Sequence, residues 1–241
     1  MRVWIDTDIG DDPDDAIALW CAARSMHTEL VGLSTVDGDV EHRARLARAL
    51  LPGVDVCAGP PPEAAAAGVD ALVGIGAWTH VAGLADAGAL PPRVVLMGGL
   101  LGRVRHHGRW QRVEHNVGRD PTSAARLLTT IGNLIVVPLD ATAQLHVHPN
   151  DERLLVDAIP GLDAQIMRWR SHAGDVPLVL HDPATVLVAL GEKVARMESR
   201  RLGVDPDGVM RASIHGPVQH VVAHVDGDAT RARVRALVTT G

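Results

Sequence analysis

The chain contains no phenylalanine and no tyrosine. Its only aromatic residues besides histidine are five tryptophans, so any core must be filled by Val, Leu, Ile, Met and Ala. Lys193 is the single lysine and all other basic residues are arginine, a bias better ascribed to genome base composition than to function. Two cysteines, Cys21 and Cys57, are too few for a disulfide framework and sit in apolar segments, where they read as buried thiols. No uninterrupted apolar run reaches the ~18 residues of a membrane span. The first residues lead directly into a strand, without the charged and apolar regions of a secretion signal. The expectation is a cytoplasmic protein with no membrane partner. A net charge of −6 gives no electrostatic basis for binding nucleic acid, which leans on basic patches.

What is present is enough for a large core: 46% of the residues are hydrophobic and 22% charged. A length of 241 residues suits one large α/β domain, here 1–241. Short apolar runs at Arg2–Ile5, Leu30–Val36, Val54–Ala58, Ala71–Ile75, Val94–Gly99 and Leu134–Leu139 read as strands. Helical spacing follows or intervenes at Ala16–Ala23, Val40–Leu51, Trp78–Ala87 and Pro121–Thr130, then at Asn150–Ile159, Leu162–His172, Asp182–Leu190 and Ala229–Val238. The polar stretch Leu100–Val113 reads as a loop or hairpin. This alternation predicts an α/β fold with an open, mostly parallel, Rossmann-like sheet and helices on both faces. In such sheets ligands sit beyond the carboxyl ends of the strands, where Asp8, Asp37, Asp39, Ile75, Gly98 and Asp140 are all expected.

The most informative stretch runs from Asp6 to Ala16, Asp-Thr-Asp-Ile-Gly-Asp-Asp-Pro-Asp-Asp-Ala. Six carboxylates crowd one strand-to-helix turn. Their repulsion at a few ångströms costs several kcal/mol at an effective dielectric of ~20 unless a cation sits among them. A hard divalent cation is the natural counter-charge. Capping of the following helix would need only one or two of them. Three further segments carry polar groups in order: Gly74-Ile75-Gly76-Ala77-Trp78-Thr79-His80, Val113-Glu114-His115-Asn116, and Leu180-His181-Asp182-Pro183-Ala184. Asp182 taken alone is a good helix cap with Pro183 in the first turn.

Together these segments resemble the nucleoside hydrolase family, of the inosine-uridine preferring type. Its signature is Asp-Thr-Asp-x-Gly-x-Asp-Asp-Ala, here with two additional residues that leave Asp11 and Asp12 in a longer loop. The resemblance implies a calcium-dependent hydrolase that cleaves the N-glycosidic bond of a ribonucleoside and releases base and ribose. It implies Ca²⁺ bound by Asp8, Asp15, Asp182 and the backbone carbonyl of Ile75. Asp8 would act as general base and His181 would face the departing base. Asp14, Asp39, Glu114 and Asn116 would hold the ribose hydroxyls. A homo-oligomer, dimer or tetramer, is implied as well. Met97-Gly98-Gly99 matches the family for close backbone approach.

The departures are specific. Asp39 stands where many members carry Asn, and His115 replaces an aromatic residue. The segment from Gly59 to Leu72 is short and lacks the family's His-Gly-x-Asp-Gly loop. Arg103, Arg105, His106 and His107 occupy the region where a ribose-binding Asn is usual. These losses motivate an alternative, a catalytically impaired calcium- and ribose-binding pseudoenzyme. They also predict an open base pocket with broad tolerance or a bulky, modified nucleoside as substrate, with Trp110 and His106 best placed to stack on the base. Trp4 and Trp20 are assigned to the core. A phosphatase with an Asp-x-Asp nucleophile is disfavoured because Lys193 sits in the wrong context. An EF-hand is excluded by Gly10 and Ile17 at ligand positions. Zinc at His146 and His148 lacks further ligands.

Overall fold

The computed structural model describes residues 1–239; the last two residues of the expected 1–241 domain lie outside the described residues. The first half alternates strand and helix: β1 (Arg2–Thr7), α1 (Asp14–Arg24), β2 (Glu29–Thr35), α2 (Val40–Leu50), β3 (Asp55–Ala58), α3 (Glu63–Ala67), β4 (Ala71–Gly74), α4 (Thr79–Asp86) and β5 (Arg93–Met97). A hairpin, β6 (Val104–His106) and β7 (Arg109–Gln111), resolves the polar stretch left open by the sequence. The chain continues through α5 (His115–Arg119), α6 (Pro121–Thr130), β8 (Ile135–Val137), α7 (Leu139–Thr142), α8 (Pro149–Ala158), α9 (Leu162–Ala173) and α10 (His181–Ala189). It closes with β9 (Ala195–Arg200), β10 (Leu202–Val204), β11 (Met210–Ala212), β12 (Gln219–Val225) and α11 (Gly227–Thr239).

Eight strands form one sheet in the order β3-β2-β1-β4-β5-β8-β12-β9. Every neighbouring pair is parallel except β12 with β9, which is antiparallel and supplies one edge. The mostly parallel α/β sheet read from the sequence is thus present, extended by strands from the weakly patterned C-terminal segment. No helix among the described residues is long and apolar enough to cross a membrane.

Both faces are buried, as the continuous apolar strands require. Alternate residues of β1 show the division. Val3 and Ile5 join a core with α1, α10 and α11, while Trp4 joins the opposite core with Trp78 and residues of α4 and α6. At Trp4 a neighbour is pared back to admit the large ring. Trp4 lies on Gly32, where a Cβ would meet the indole ring at 2.4 Å, and its Nε1–H donates to Ser34 Oγ at 3.1 Å. Trp20 is buried as well, so the core assignment of both residues agrees with the structure.

Glycines bring the carboxyl ends of β1, β4 and β5 together. A Cβ on Gly76 would meet Val36 Cγ1 at 2.6 Å and the backbone N of Asp8 at 3.1 Å. Gly98, at φ +148°, would place one 2.9 Å from Nε1 of Trp78 and 3.1 Å from Oε2 of Glu114.

Candidate active site

A cavity of about 610 Å³ opens at this carboxyl edge. Its wall includes Asp8, Asp11, Asp12, Asp14 and Asp15 from the acidic turn. Ile75 follows β4, Glu114 and Asn116 open α5, and His181 and Asp182 open α10. Four segments far apart in sequence therefore meet in one depression, at the place where parallel α/β sheets bind ligands.

The acidic turn is not a helix cap. The residue preceding α1 is Pro13, with no side-chain capping bond, and Asp14 and Asp15 are buried in the first helical turn. Thr7 fixes this geometry: its hydroxyl donates to Asp15 Oδ1 at 2.5 Å and accepts from Ile9 N–H at 3.1 Å. Asp182 does not cap α10 either. Leu180 precedes that helix, and the Asp182 N–H donates to Asp14 Oδ2 at 3.1 Å, joining the two helix starts. Carboxylate oxygens of Asp14, Asp15 and Asp182 lie within 4.8 Å of one another. Burial, reinforced by mutual repulsion, pushes all three carboxyls well above the ordinary carboxylate range. Three buried acids facing one another fit a hard cation, whose charge would replace the missing water and protons.

Asp8 borders the same cavity but groups differently, with an oxygen within 4.8 Å of ligand atoms of Asp37 and His115. Burial lifts its pKa to about 7, against the pull of Arg43 and with the push of Asp11 and Asp37. Arg43, a buried residue of α2 that the sequence reading passed over, braces this loop. Its Nη1 donates to the carbonyls of Asp8 and Ile9, its Nε to the Asp37 carbonyl at 2.8 Å, and its Nη2 to Asp11 Oδ2 at 2.7 Å. The two residues that lengthen the loop thus have separate places. Asp11 pairs with Arg43, and Asp12 faces the cavity with Oδ1 at 3.4 Å from the Asp14 N–H.

Glu114 and Asn116 are buried and held by backbone. The Glu114 carboxylate accepts from the N–H groups of Gly99 at 2.8 Å, Asn116 at 2.8 Å and Val117 at 3.1 Å. Burial still pushes its pKa up. Asn116 Nδ2 donates to the Ile75 carbonyl at 3.2 Å, so this carbonyl does face the polar cluster. His181 is buried, with Nδ1 2.7 Å from Thr142 Oγ1, and burial together with neighbouring His106 and His107 holds its pKa well below that of an ordinary histidine.

Not every residue expected at this edge reaches the cavity. Asp39 is exposed and caps α2 by accepting from His42 N–H at 2.9 Å, the ordinary use of an Asp at a helix start; Asp37, at φ +64°, approaches Asp8 instead. Asp140 accepts from Leu101 N–H outside the cavity wall. Asp6 faces away, bonded to Ser34 Oγ at 2.5 Å and 3.0 Å from His80 Nδ1. Trp110 is 64% exposed beneath Arg103 and does not line the cavity, whereas His106 does. Trp169, His172 and Arg168 of α9 complete the wall. Nothing in the local pattern of α9 distinguished its inward face, because the cavity is made by a segment returning from far along the chain.

Solved structures show which fold this is. A plant nucleoside hydrolase, PpNRh1, superposes with a TM-score of 0.82 at 17% identity, covering 100% of this chain and 99% of that one. A purine-preferring ribonucleoside hydrolase from Gardnerella vaginalis gives 0.77 at 18% identity, with 100% of both chains covered. An inosine-uridine preferring nucleoside hydrolase from Bacillus anthracis gives 0.71 at 16% identity, with 98% of both covered. The architecture is that of the nucleoside hydrolases. The family model for inosine-uridine preferring nucleoside hydrolase matches residues 63–234, and the chain belongs to that family of N-glycosidic hydrolases. No curated protein sequence matches it. The family is metal-dependent, and the acidic cluster is a candidate metal site.

Proposed function

We propose that the protein hydrolyses the N-glycosidic bond of a ribonucleoside or nucleoside-like compound in a calcium-dependent reaction. The observation that carries this reading is the convergence of Asp14, Asp15 and Asp182 within 4.8 Å of one another in the cavity that Asp8, Glu114, Asn116 and His181 also line. Asp8, Asp15, Asp182 and the Ile75 carbonyl are the proposed Ca²⁺ ligands, and Asp14 is close enough to share in the site. Hard oxygen donors from three separate segments suit calcium, which tolerates high and irregular coordination, better than magnesium, which demands a near-ideal octahedron. When bound, the ion would acidify and orient the attacking water.

Asp8 would take the proton of the attacking water as general base, its carboxylate kept ionised by the bound cation. Attack at the anomeric carbon develops positive charge on the sugar, which the surrounding carboxylates stabilise. Asp14, Glu114 and Asn116 hold the ribose hydroxyls. The Glu114 carboxylate is already oriented by three backbone donors, so little is lost in ordering it at the moment of reaction. His181 faces the leaving base. The 2.7 Å contact between its Nδ1 and the Thr142 hydroxyl fixes the ring where, uncharged, it can hydrogen-bond the leaving base.

The decisive experiment is Asp8→Asn assayed on inosine and uridine with calcium present. A loss in kcat of at least ~10²-fold is expected, the low end for a positioned acid–base group. Near-normal turnover in that variant rules out the assignment. A bound, calcium-replete protein with no turnover on a broad nucleoside panel would instead favour the pseudoenzyme reading.

A further inference from the structure

One group in the cavity has no part in the chemistry above. The hairpin of β6 and β7 carries His106 and His107 into the wall, with ring centroids 3.8 Å apart and planes 29° from parallel. His181 meets His106 edge-on at 4.9 Å, and Trp169 meets His107 edge-on at 5.6 Å. Four rings from three separated segments thus form one contiguous cluster in the cavity wall, in a chain without Phe or Tyr.

The hairpin is built to present one of these rings. His106 pairs with Arg109, leaving His107 and Gly108 as a two-residue loop with φ of +46° and +75°. Positive φ at both positions is the tight hairpin turn in which Asn, Asp or Gly is normally preferred. A histidine at the first of these positions is uncommon, and here it lies in the cavity wall. Its Nε2 is buried and has no hydrogen-bond partner among the described residues.

We propose that the stacked pair His106–His107 is the platform on which the heteroaromatic base of the substrate lies, and that it reads the base by its ring face rather than by its polar edge. This rests on the nucleoside-hydrolysing reading above. Stacking on an aromatic surface is tolerant of base identity because every base has a π-face, so affinity follows ring area. Burial disfavours charge on both rings: with the neighbouring His107 and His146 it brings His106 down to about 4, and it lowers His107 against the pull of Asp12. Trp169 and His181 close the platform at its two ends.

The test is calorimetric binding of adenine, uracil and ribose, separately, to the calcium-loaded full chain and to His107→Asn and His106→Gln. Asparagine is favoured at the positive-φ turn position, so His107→Asn keeps the hairpin while deleting the ring. Adenine affinity is expected to fall by about 5- to 150-fold in each variant, with a smaller loss for uracil. Ribose affinity is expected to stay within about twofold. Unchanged adenine affinity in both variants, no adenine binding to the unaltered chain, or an equal loss for ribose and adenine would overturn the proposal. Ribose failing to bind the unaltered chain while adenine still responds to the substitutions would count against the hydrolase reading and leave the platform standing.

Discussion

Arg43→Met removes a guanidinium that braces the acidic loop, while keeping most of the apolar stem. In the native fold Arg43 is only 6% exposed and donates to three backbone carbonyls, those of Asp8, Ile9 and Asp37. Hydrogen bonds from a charged donor are worth roughly 1.5–3 kcal/mol each, and a buried acceptor left without a partner costs roughly 1–3 kcal/mol. Part of this is returned because a buried cation no longer has to be desolvated. A net loss of about 3–5 kcal/mol follows, which for a chain of this size lowers Tm by roughly 6–20 °C. The ion pair with Asp11 contributes little of it, because the Asp11 side chain is 79% exposed and screened. Such exposed pairs are worth about 0–1 kcal/mol, so Asp11→Asn should move Tm by no more than about 4 °C. Calorimetry on the metal-free protein compares the two variants directly. A shift below about 3 °C for Arg43→Met, or an Asp11→Asn shift as large as that of Arg43→Met, refutes the claim that the carbonyl bonds and not the ion pair fix this loop.

Three further outcomes are expected. Removing calcium with a chelator should lower Tm, since the ion would tie α1 to α10; with free calcium at 100-fold over Kd the stabilisation is about 2.7 kcal/mol, roughly 5–11 °C, and unchanged melting would sink the metal assignment. Calcium binding should release protons and weaken as pH falls through about 7, because Asp8 is raised to about 7, chiefly by burial, and Asp14, Asp15 and Asp182 are raised in the same direction. These folded-state values lie above the unfolded ones, so the metal-free fold should gain stability as pH is lowered from about 8.5 to 7.5, above the range in which His106, His107 and His181, all held below the ordinary 6.5, oppose it; calorimetry in buffers of different ionisation enthalpy measures the proton release, and its absence contradicts the buried-acid cluster. Gly98→Ala should cost more than ~1 kcal/mol, because its Cβ would enter at φ +148° against Trp78 and Glu114, and an unchanged Tm would show that this approach is not needed.

The sequence by itself determined the alternation of β1 to β5 and β8 with the longer helices, because a parallel sheet buried on both faces leaves continuous apolar runs, and punctuating Gly and Pro mark their ends; the weakly patterned strands β9 to β12 were not legible in it. It also determined which segments carry the chemistry. Six carboxylates in one turn conflict electrostatically unless something binds them, and that conflict is visible without coordinates. Tertiary structure alone decided which of those carboxylates face one another. Asp14, Asp15 and Asp182 converge while Asp6 turns to Ser34 and His80, a partition set by strand register and by the contacts of Thr7. It decided that Asp39 would cap a helix and Asp37 would approach Asp8, two residues apart and indistinguishable by type. It also decided the aromatic wall, since His107, His181 and Trp169 come from segments that no local periodicity relates. Composition could say only that tryptophan and histidine must supply any stacking. Which of them do so depends on long-range packing, and that exists only once the chain has closed on itself.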